Sequence, residues 1–327
     1  MRYQSVTDGF VILPDGHVAE LVDGSPGGQL TPYTNAVAVA TGEYHLLVLH
    51  ADGTVSGQLI NDPREHFGQH LVPADLRDVV AITCGGFASY ALHADGTVIA
   101  WGDLSADDMQ ELAHSSGIKS IHGGRRHLLM VDAYDRIEHV GITALNDADT
   151  FPVHRVLVRQ LHSSDIRAIV LTQKHEVLDL FKKDNLTIAV GSDIVDVVAS
   201  RGLYGLLYAD GRAAIIDHGT KIIQSDEETA VFGAYPVPDE PVDLQGISAM
   251  YATGDAMYAV GFDGRVWGMY SGEQFGVEAE ALSFPENLRV RVWEGHSQQP
   301  QDYDPDTCHN FNTASIAAGE VRFRHHP

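Results

Sequence analysis

The sequence predicts an all-β fold, a single β-propeller of about seven blades. Three observations carry that expectation. One hairpin pattern recurs along the chain, its turns keep a register at intervals of 36 to 53 residues, and the two termini hold complementary fragments of one unit.

The pattern is clearest in three stretches. Residues 37–55 read VAVATGEYHLLVLHADGTV, residues 80–102 read VAITCGGFASYALHADGTVIAWG, and residues 195–211 read VDVVASRGLYGLLYADG. Each has an apolar run, a break bearing glycine, a second apolar run and then Asp-Gly. Short apolar runs bounded in this way read as buried strands. Asp-Gly between them reads as a two-residue hairpin turn, because both positions accept positive φ.

In register these turns fall at Asp15-Gly16, Asp52-Gly53, Asp95-Gly96, Asp210-Gly211 and Asp263-Gly264. Two more are needed between Gly96 and Gly211, and two degenerate ones occur at the right intervals. They are Tyr134-Asp135 in HLLMVDAYDRI and Lys174-His175 in RAIVLTQKHEV. Asp and His are among the few non-glycine residues that tolerate a left-handed backbone, so Asp135 and His175 are expected at positive φ. Seven hairpins result.

A second signature follows the clear turns. It reads Gly28-Gln29-Leu30, Gly68-Gln69-His70-Leu71, Met109-Gln110-Glu111-Leu112 and Gly272-Glu273-Gln274-Phe275-Gly276, with aromatic-Gly pairs at Trp101-Gly102 and Trp267-Gly268. Strand, glycine, strand, Asp-Gly, aromatic-Gly and a Gly-Gln-Leu-Gly-like segment together resemble the regulator of chromosome condensation repeat. The resemblance covers nearly the whole chain. It is strongest in the second, third and seventh units, faint in the fourth and fifth, and absent from residues 295–312. It implies seven blades of four strands, with structural roles for His45 and His127, which stand at equivalent places before a Leu-Leu pair.

A propeller must close its ring, since terminal blades otherwise expose strand edges. The N-terminus enters late in a unit, at Ser5-Val6-Thr7 before Phe10-Val11-Ile12-Leu13, and reads as lacking the inner strand. The segment TASIAAGE at 313–320 echoes VAITCGG and is the preferred candidate for that strand; RVRVWEG at 289–295 competes for the place. The expectation is one domain over 1–327, closed by N- and C-terminal strands in one blade, with 295–312 an inserted acidic loop.

Charge is the strongest bulk feature, with 45 Asp and Glu against 21 Lys and Arg, a net −24. Such a surface repels phosphate backbones and anionic lipid and attracts basic partners. Nucleic acid and membrane are therefore not expected as partners. Cys84 and Cys308 build no disulfide framework and fit a reducing compartment. The opening MRYQSVTDGF shows no secretory pattern, so a cytoplasmic location is expected.

The sequence offers little that carries chemistry. It has no phosphate loop, no nucleophile elbow and no paired-cysteine zinc pattern. His66 and His70, and the terminal His325-His326, are isolated pairs. Asp302, Asp304 and Asp306 alternate as hard-cation ligands can, but Thr307 and Thr313 replace the glycine and glutamate that the helix-loop-helix calcium motif requires. These readings predict no catalytic residues, no cofactor and no metal.

The resemblance implies three employments: nucleotide exchange on small GTPases, protein-binding modules, and tight enzyme inhibition. The leading expectation is a non-enzymatic binding propeller, an acidic inhibitor or immunity protein that blocks a basic toxin or enzyme. The alternative is an exchange factor or effector acting on a small GTPase. The segments joining third and fourth strands, including 103–115, 217–236 and 268–284, would share one face. Acids beside aromatics there nominate Asp107, Asp108, Asp226, Glu227, Glu228, Tyr235 and Tyr270 as the partner-binding set.

Overall fold

Strands of five or six residues without polar alternation are stable only when both faces are covered. The fold provides both covers by standing seven small sheets side by side. The computed structural model describes residues 6–7, 9–22, 25–60, 66–141, 156–164, 167–181, 187–200, 202–217, 242–253, 256–270 and 280–282.

The first blade holds β1 (Val6–Thr7), β2 (Phe10–Ile12), β3 (Val18–Val22) and β4 (Ser25–Leu30). The second holds β5 (Ala36–Thr41), β6 (His45–His50) and β7 (Val55–Leu59), and the third β8 (Val79–Cys84), β9 (Ala88–His93) and β10 (Val98–Gly102), followed by helix α1 (Ala106–Ala113). The fourth holds β11 (Ile118–Gly124), β12 (His127–Asp132) and β13 (Ile137–Gly141). The fifth holds β14 (Val158–Ser164), β15 (Arg167–Thr172), β16 (Glu176–Asp179) and β17 (Thr187–Val190). The sixth holds β18 (Ile194–Ala199), β19 (Leu203–Tyr208), β20 (Ala213–Asp217) and β21 (Val242–Leu244), and the seventh β22 (Ile247–Ala252), β23 (Ala256–Gly261), β24 (Val266–Tyr270) and β25 (Glu280–Leu282).

Every sheet is an antiparallel meander, and its first strand lies innermost. Each first strand touches the first strand of the next blade, and β22 returns to β1, so the seven sheets form a ring. Successive residues of a strand point to opposite faces. Leu46 and Val48 of β6 therefore pack toward the first blade, and Leu47 and Leu49 toward the third. Likewise Leu128 and Met130 of β12 join the third blade, while Leu129 and Val131 join the fifth. The core is a circle of inter-blade layers. One of them, containing Phe10, Ile12, Tyr251 and Tyr258, joins the first blade to the seventh.

The turns between second and third strands differ from the two-residue form expected. In each, the amide of the last residue bonds back across three positions, as Gly53 N to His50 O at 3.0 Å, while His50 N reaches Thr54 O at 2.9 Å. Only one residue of each turn is left-handed. This is a three-residue loop ending in a bulge, which needs positive φ once rather than twice. That single position is Gly16, Gly53, Gly96, Asp135, His175, Gly211 and Gly264, with φ between 64° and 86°. Asp135 at 65° and His175 at 64° stand where the register placed them.

The preceding residue caps the turn. Asp52 Oδ1 accepts from Thr54 N at 3.0 Å and Thr54 Oγ1 at 2.7 Å, and these bonds hold its carboxyl below the usual range. The degenerate turns move the cap to the strand end. Asp132 Oδ1 accepts from Tyr134 N and Arg136 N at 2.8 and 2.9 Å, and Thr172 Oγ1 accepts from Lys174 N and Glu176 N at 3.2 and 3.1 Å.

The left-handed residue also joins blades. Its carbonyl accepts the amide that opens the next inner strand: Ala36 to Gly16 at 2.9 Å, Val79 to Gly53 at 3.0 Å, Ile118 to Gly96 at 3.0 Å, Val158 to Asp135 at 2.8 Å and Ile247 to Gly211 at 2.8 Å. At His175 the donor is Gly191, ahead of β18, at 3.0 Å.

Three expectations need correction or delimitation. The first blade has an inner strand from the N-terminal side, because Val6 and Thr7 pair with Val11 and Phe10 at the innermost position. Residues 289–295, 295–312 and 313–320 lie outside the described residues, so the composite blade is not part of this description. Segment 103–115 is not a plain loop. Ser105 and Asp108 form a capping box that starts α1, and buried Leu112 seats the helix on the third and fourth blades.

The joints generate a stability prediction. A Cβ on Gly96 would come within 2.9 Å of Gly117 Cα, in a backbone region already strained for alanine. Gly96→Ala should cost about 1–3 kcal/mol in urea unfolding. His175→Gly should instead stabilise by a few tenths to about 1 kcal/mol. Asp135→Gly should gain less, since Asp135 pairs with Lys119 and accepts from Gln173 Nε2 at 2.5 Å. The reverse order of the last two would show that the His175 ring has a structural task.

Candidate protein-binding face

Strand direction sorts the connections onto two faces. The left-handed turns occupy one. The hairpins between first and second strands, and the segments leaving the third strands, occupy the other, termed the loop face.

Near the axis on the loop face, three hairpin tips are bonded in succession. Glu43 N donates to Gly86 O at 3.2 Å, and Gly86 N donates to Arg125 O at 2.8 Å. The Arg125 guanidinium then reaches back to Glu43, Nε to Oε1, at 2.6 Å. Gly86 is required between them, because a Cβ would stand 3.0 Å from Arg125 O.

Beside these tips lies a ridge of three aromatic rings. Tyr44 stacks on Phe87 with centroids 5.4 Å apart, and Phe67 meets Phe87 edge-on at 5.3 Å. Phe67 is 52% exposed and neighbouring Leu71 64% exposed, while Tyr44 and Phe87 are half-buried. The Gly-Gln signature is what presents the ridge. Gly68 at φ 81° reverses the chain, and the amide of Phe67 donates to Gln69 Oε1 at 2.6 Å. Gln69 is fully buried, and its carbonyl accepts from Ser89 Oγ at 2.7 Å.

Ser89 has one hydroxyl proton, given to Gln69 O, so it must accept from His45 Nε2 at 2.8 Å. That bond places the imidazole proton on Nε2. The second and third blades are thus tied beneath the ridge. His127 repeats the device, with Nε2 2.7 Å from Ser163 Oγ across the fourth and fifth blades. Both histidines are buried, in keeping with the structural part the repeat implied.

The structure places the sequence-nominated residues unevenly. Asp107 is exposed in the first turn of α1. Asp108 is committed to the helix cap: its carboxylate accepts from Ser105 N at 3.3 Å, and its amide donates to Ser105 Oγ at 3.0 Å. Those two share one helical turn, and no described contact links them to the aromatic ridge. Tyr270 ends β24, opposite Ala256 and Glu280. Asp226, Glu227, Glu228 and Tyr235 lie outside the described residues, as do Asp302, Asp304 and Asp306. Among the described residues, no group of three or more His, Cys, Asp and Glu could hold a metal ion.

Tyr44, Phe67 and Phe87 are not among the residues that the acidic and aromatic pattern of the sequence nominates. Their signal was present: Tyr44 and Phe87 occupy the same place after the hairpin glycine in adjacent repeats, and Phe67 directly precedes Gly-Gln.

Burial, and then the nearby His70, push His45 from the usual 6.5 down to about 4. The folded protein therefore resists protonating His45, and the unfolded chain does not. His45 contributes its full stability above about pH 6.5 and loses it as pH falls toward 4, a change on the order of 3 kcal/mol. His45→Gln should flatten the stability–pH profile between those limits relative to the parent, measured by urea unfolding. Parallel profiles would remove the assignment.

The repeat family described as the regulator of chromosome condensation (RCC1) repeat matches residues 79–104, the third blade. No curated protein matches the chain. Among solved structures, Prp20p from Saccharomyces cerevisiae, studied for its binding to Gsp1p and histones, superposes with a TM-score of 0.55 at 14% identity, covering 86% of this chain and 84% of that one. The yeast RCC1 (Prp20) bound to Kap60 gives 0.53 at 14% identity, over 78% and 76%. Human WBSCR16 gives 0.52 at 12% identity, over 80% and 86%. One blade of this chain thus matches the RCC1 repeat in sequence, and the chain shares the β-propeller fold of these proteins.

Proposed function

We propose that this propeller is a non-enzymatic binding module that grips a basic protein through its loop face, with Tyr44, Phe67 and Phe87 as anchors. The observation that carries the reading is the half-exposed aromatic ridge held over a buried Gln69. Aromatic side chains in well-supported positions supply most of the energy of protein interfaces, and a rigid presentation lowers the entropy cost of docking. The net charge of −24 supplies the steering. A basic partner meets an attractive field before contact, which raises the encounter rate.

An acidic inhibitor or immunity protein fits this combination. Its tasks are fast capture of a cationic toxin or enzyme and slow release, and charge and aromatic anchors serve them separately. Asp107, Asp226, Glu227 and Glu228 would act as steering charges in this reading, and Tyr235 and Tyr270 as further anchors.

A partner captured from the native host provides the test. Its association rate should fall steeply with salt, while Phe67→Ala together with Tyr44→Ala should mainly raise the dissociation rate, by about ten-fold or more. Lysine in place of Asp226, Glu227 and Glu228 should slow association. Salt-independent binding accompanied by accelerated nucleotide release from a small GTPase would replace the inhibitor reading with the exchange-factor one. Unchanged dissociation in the aromatic double variant would move the grip away from the ridge.

A further inference from the structure

We propose that the turn face over the fourth and fifth blades is a second docking surface, and that it takes an acidic peptide segment carrying apolar side chains. The charge distribution points there first. Residues 118–190 contain ten of the chain's 21 Lys and Arg but only nine of its 45 Asp and Glu. This sector is nearly balanced in a chain of net charge −24, so the negative charge resides in the rest of the sequence.

These two blades are also the ones whose turns depart from Asp-Gly. At the other five joints glycine presents no side chain. The two departures lie side by side, and the surface around them is continuous. Asp135 O accepts from Val158 N, beside Leu157, and Leu157 O accepts from Gln173 N at 2.9 Å. The next joint follows directly, with His175 O accepting from Gly191 N, beside Val190. Along this line Tyr134 is 74% exposed, Leu157 47% and Val190 70%. Single exposed apolar side chains are ordinary; three on one strip of an otherwise acidic rim are the features of a contact surface.

The polar groups on the strip favour an anionic ligand. Lys119 is paired with Asp135, and Arg136 with the buried Asp132 at 2.6 Å. The Arg136 guanidinium also lies over the Tyr134 ring, 5.0 Å from its centre. Arg159 and Lys174 differ. Both are exposed, Arg159 Nη1 lies 3.2 Å from His175 Nδ1, and neither has a carboxylate partner among the described residues. Glu176 on the same blade makes no described ion pair with either. Two uncompensated cations flanked by Tyr134, Leu157 and Val190 match a short peptide that alternates carboxylates with apolar groups. A polynucleotide or an anionic membrane fits less well, since either would extend over the strongly acidic neighbouring blades.

Differential selection from a random peptide display library tests this without a known partner. The parent protein and a variant carrying Arg159→Glu and Lys174→Glu are panned in parallel, with Tyr134→Ala as a second variant and thermal melting as the check on folding. Peptides recovered by the parent and lost by the charge variant should be rich in Asp and Glu next to aromatic or branched apolar residues. Synthetic copies should bind the parent at least ten-fold more tightly than either variant in fluorescence anisotropy. Identical peptide pools from parent and variant would overturn the proposal, as would lost peptides without acidic enrichment. A single-stranded oligonucleotide that competes with the selected peptides at equal concentration would also overturn it, in favour of nucleic acid. Because Phe67→Ala leaves this strip untouched, the two faces fail or succeed separately.

Discussion

Between one blade and the next the chain has no continuous sheet. The amide that opens five of the described inner strands finds its partner outside its own blade, and a buried orphan amide would cost about 1–3 kcal/mol. The carbonyl of the left-handed turn residue answers that need from the blade before. Only a residue at positive φ turns its carbonyl outward from the hairpin while letting the chain pass close to its neighbour. The bonds from Ala36 to Gly16, Val79 to Gly53 and Ile118 to Gly96 therefore set both the spacing and the phase of successive blades. Side-chain packing then fills a gap whose dimensions the backbone has fixed.

This constraint explains why the middle strands carry apolar residues on both faces. With a neighbour at a fixed distance on each side, β6, β9, β12 and β19 have no solvent face, and HLLVLH or LYGLLY needs no polar alternation. It also explains the crowding at hairpin glycines. Gly42 lies against the His45 ring and Gly85, and Gly123 against Cys84, so these glycines are set by inter-blade approach rather than by turn conformation.

Much of the architecture was legible because the joint has a sequence signature. Asp-Gly in register located five turns, and the tolerance of Asp and His for a left-handed backbone located Asp135 and His175. The turn type was not legible, since Asp-Gly serves both two-residue and three-residue loops. Helix α1 was hidden for a different reason: Met109-Gln110-Glu111-Leu112 matched the repeat signature, which masked the Ser105-x-x-Asp108 cap and the spacing of a short helix. The candidate site was the least legible part. Acidic residues are the visible markers of a surface in a sequence, yet Asp108 serves its own helix, while Phe67 depends on a buried glutamine held by Ser89, which is held in turn by His45 of another blade.

The paired side chains at the fourth and fifth joints have a geometric consequence. A ring of seven like units presents any approaching molecule with seven nearly equivalent rotational settings, and a glycine joint gives nothing by which to tell them apart. Asp135 and His175, with Tyr134 and Lys174 beside them, mark one sector of the circle. A ligand that reads that mark has a single angular orientation on the disc, and whatever the opposite face holds is then oriented with respect to it. The departures from glycine thus act as an index mark on an otherwise repeating wheel.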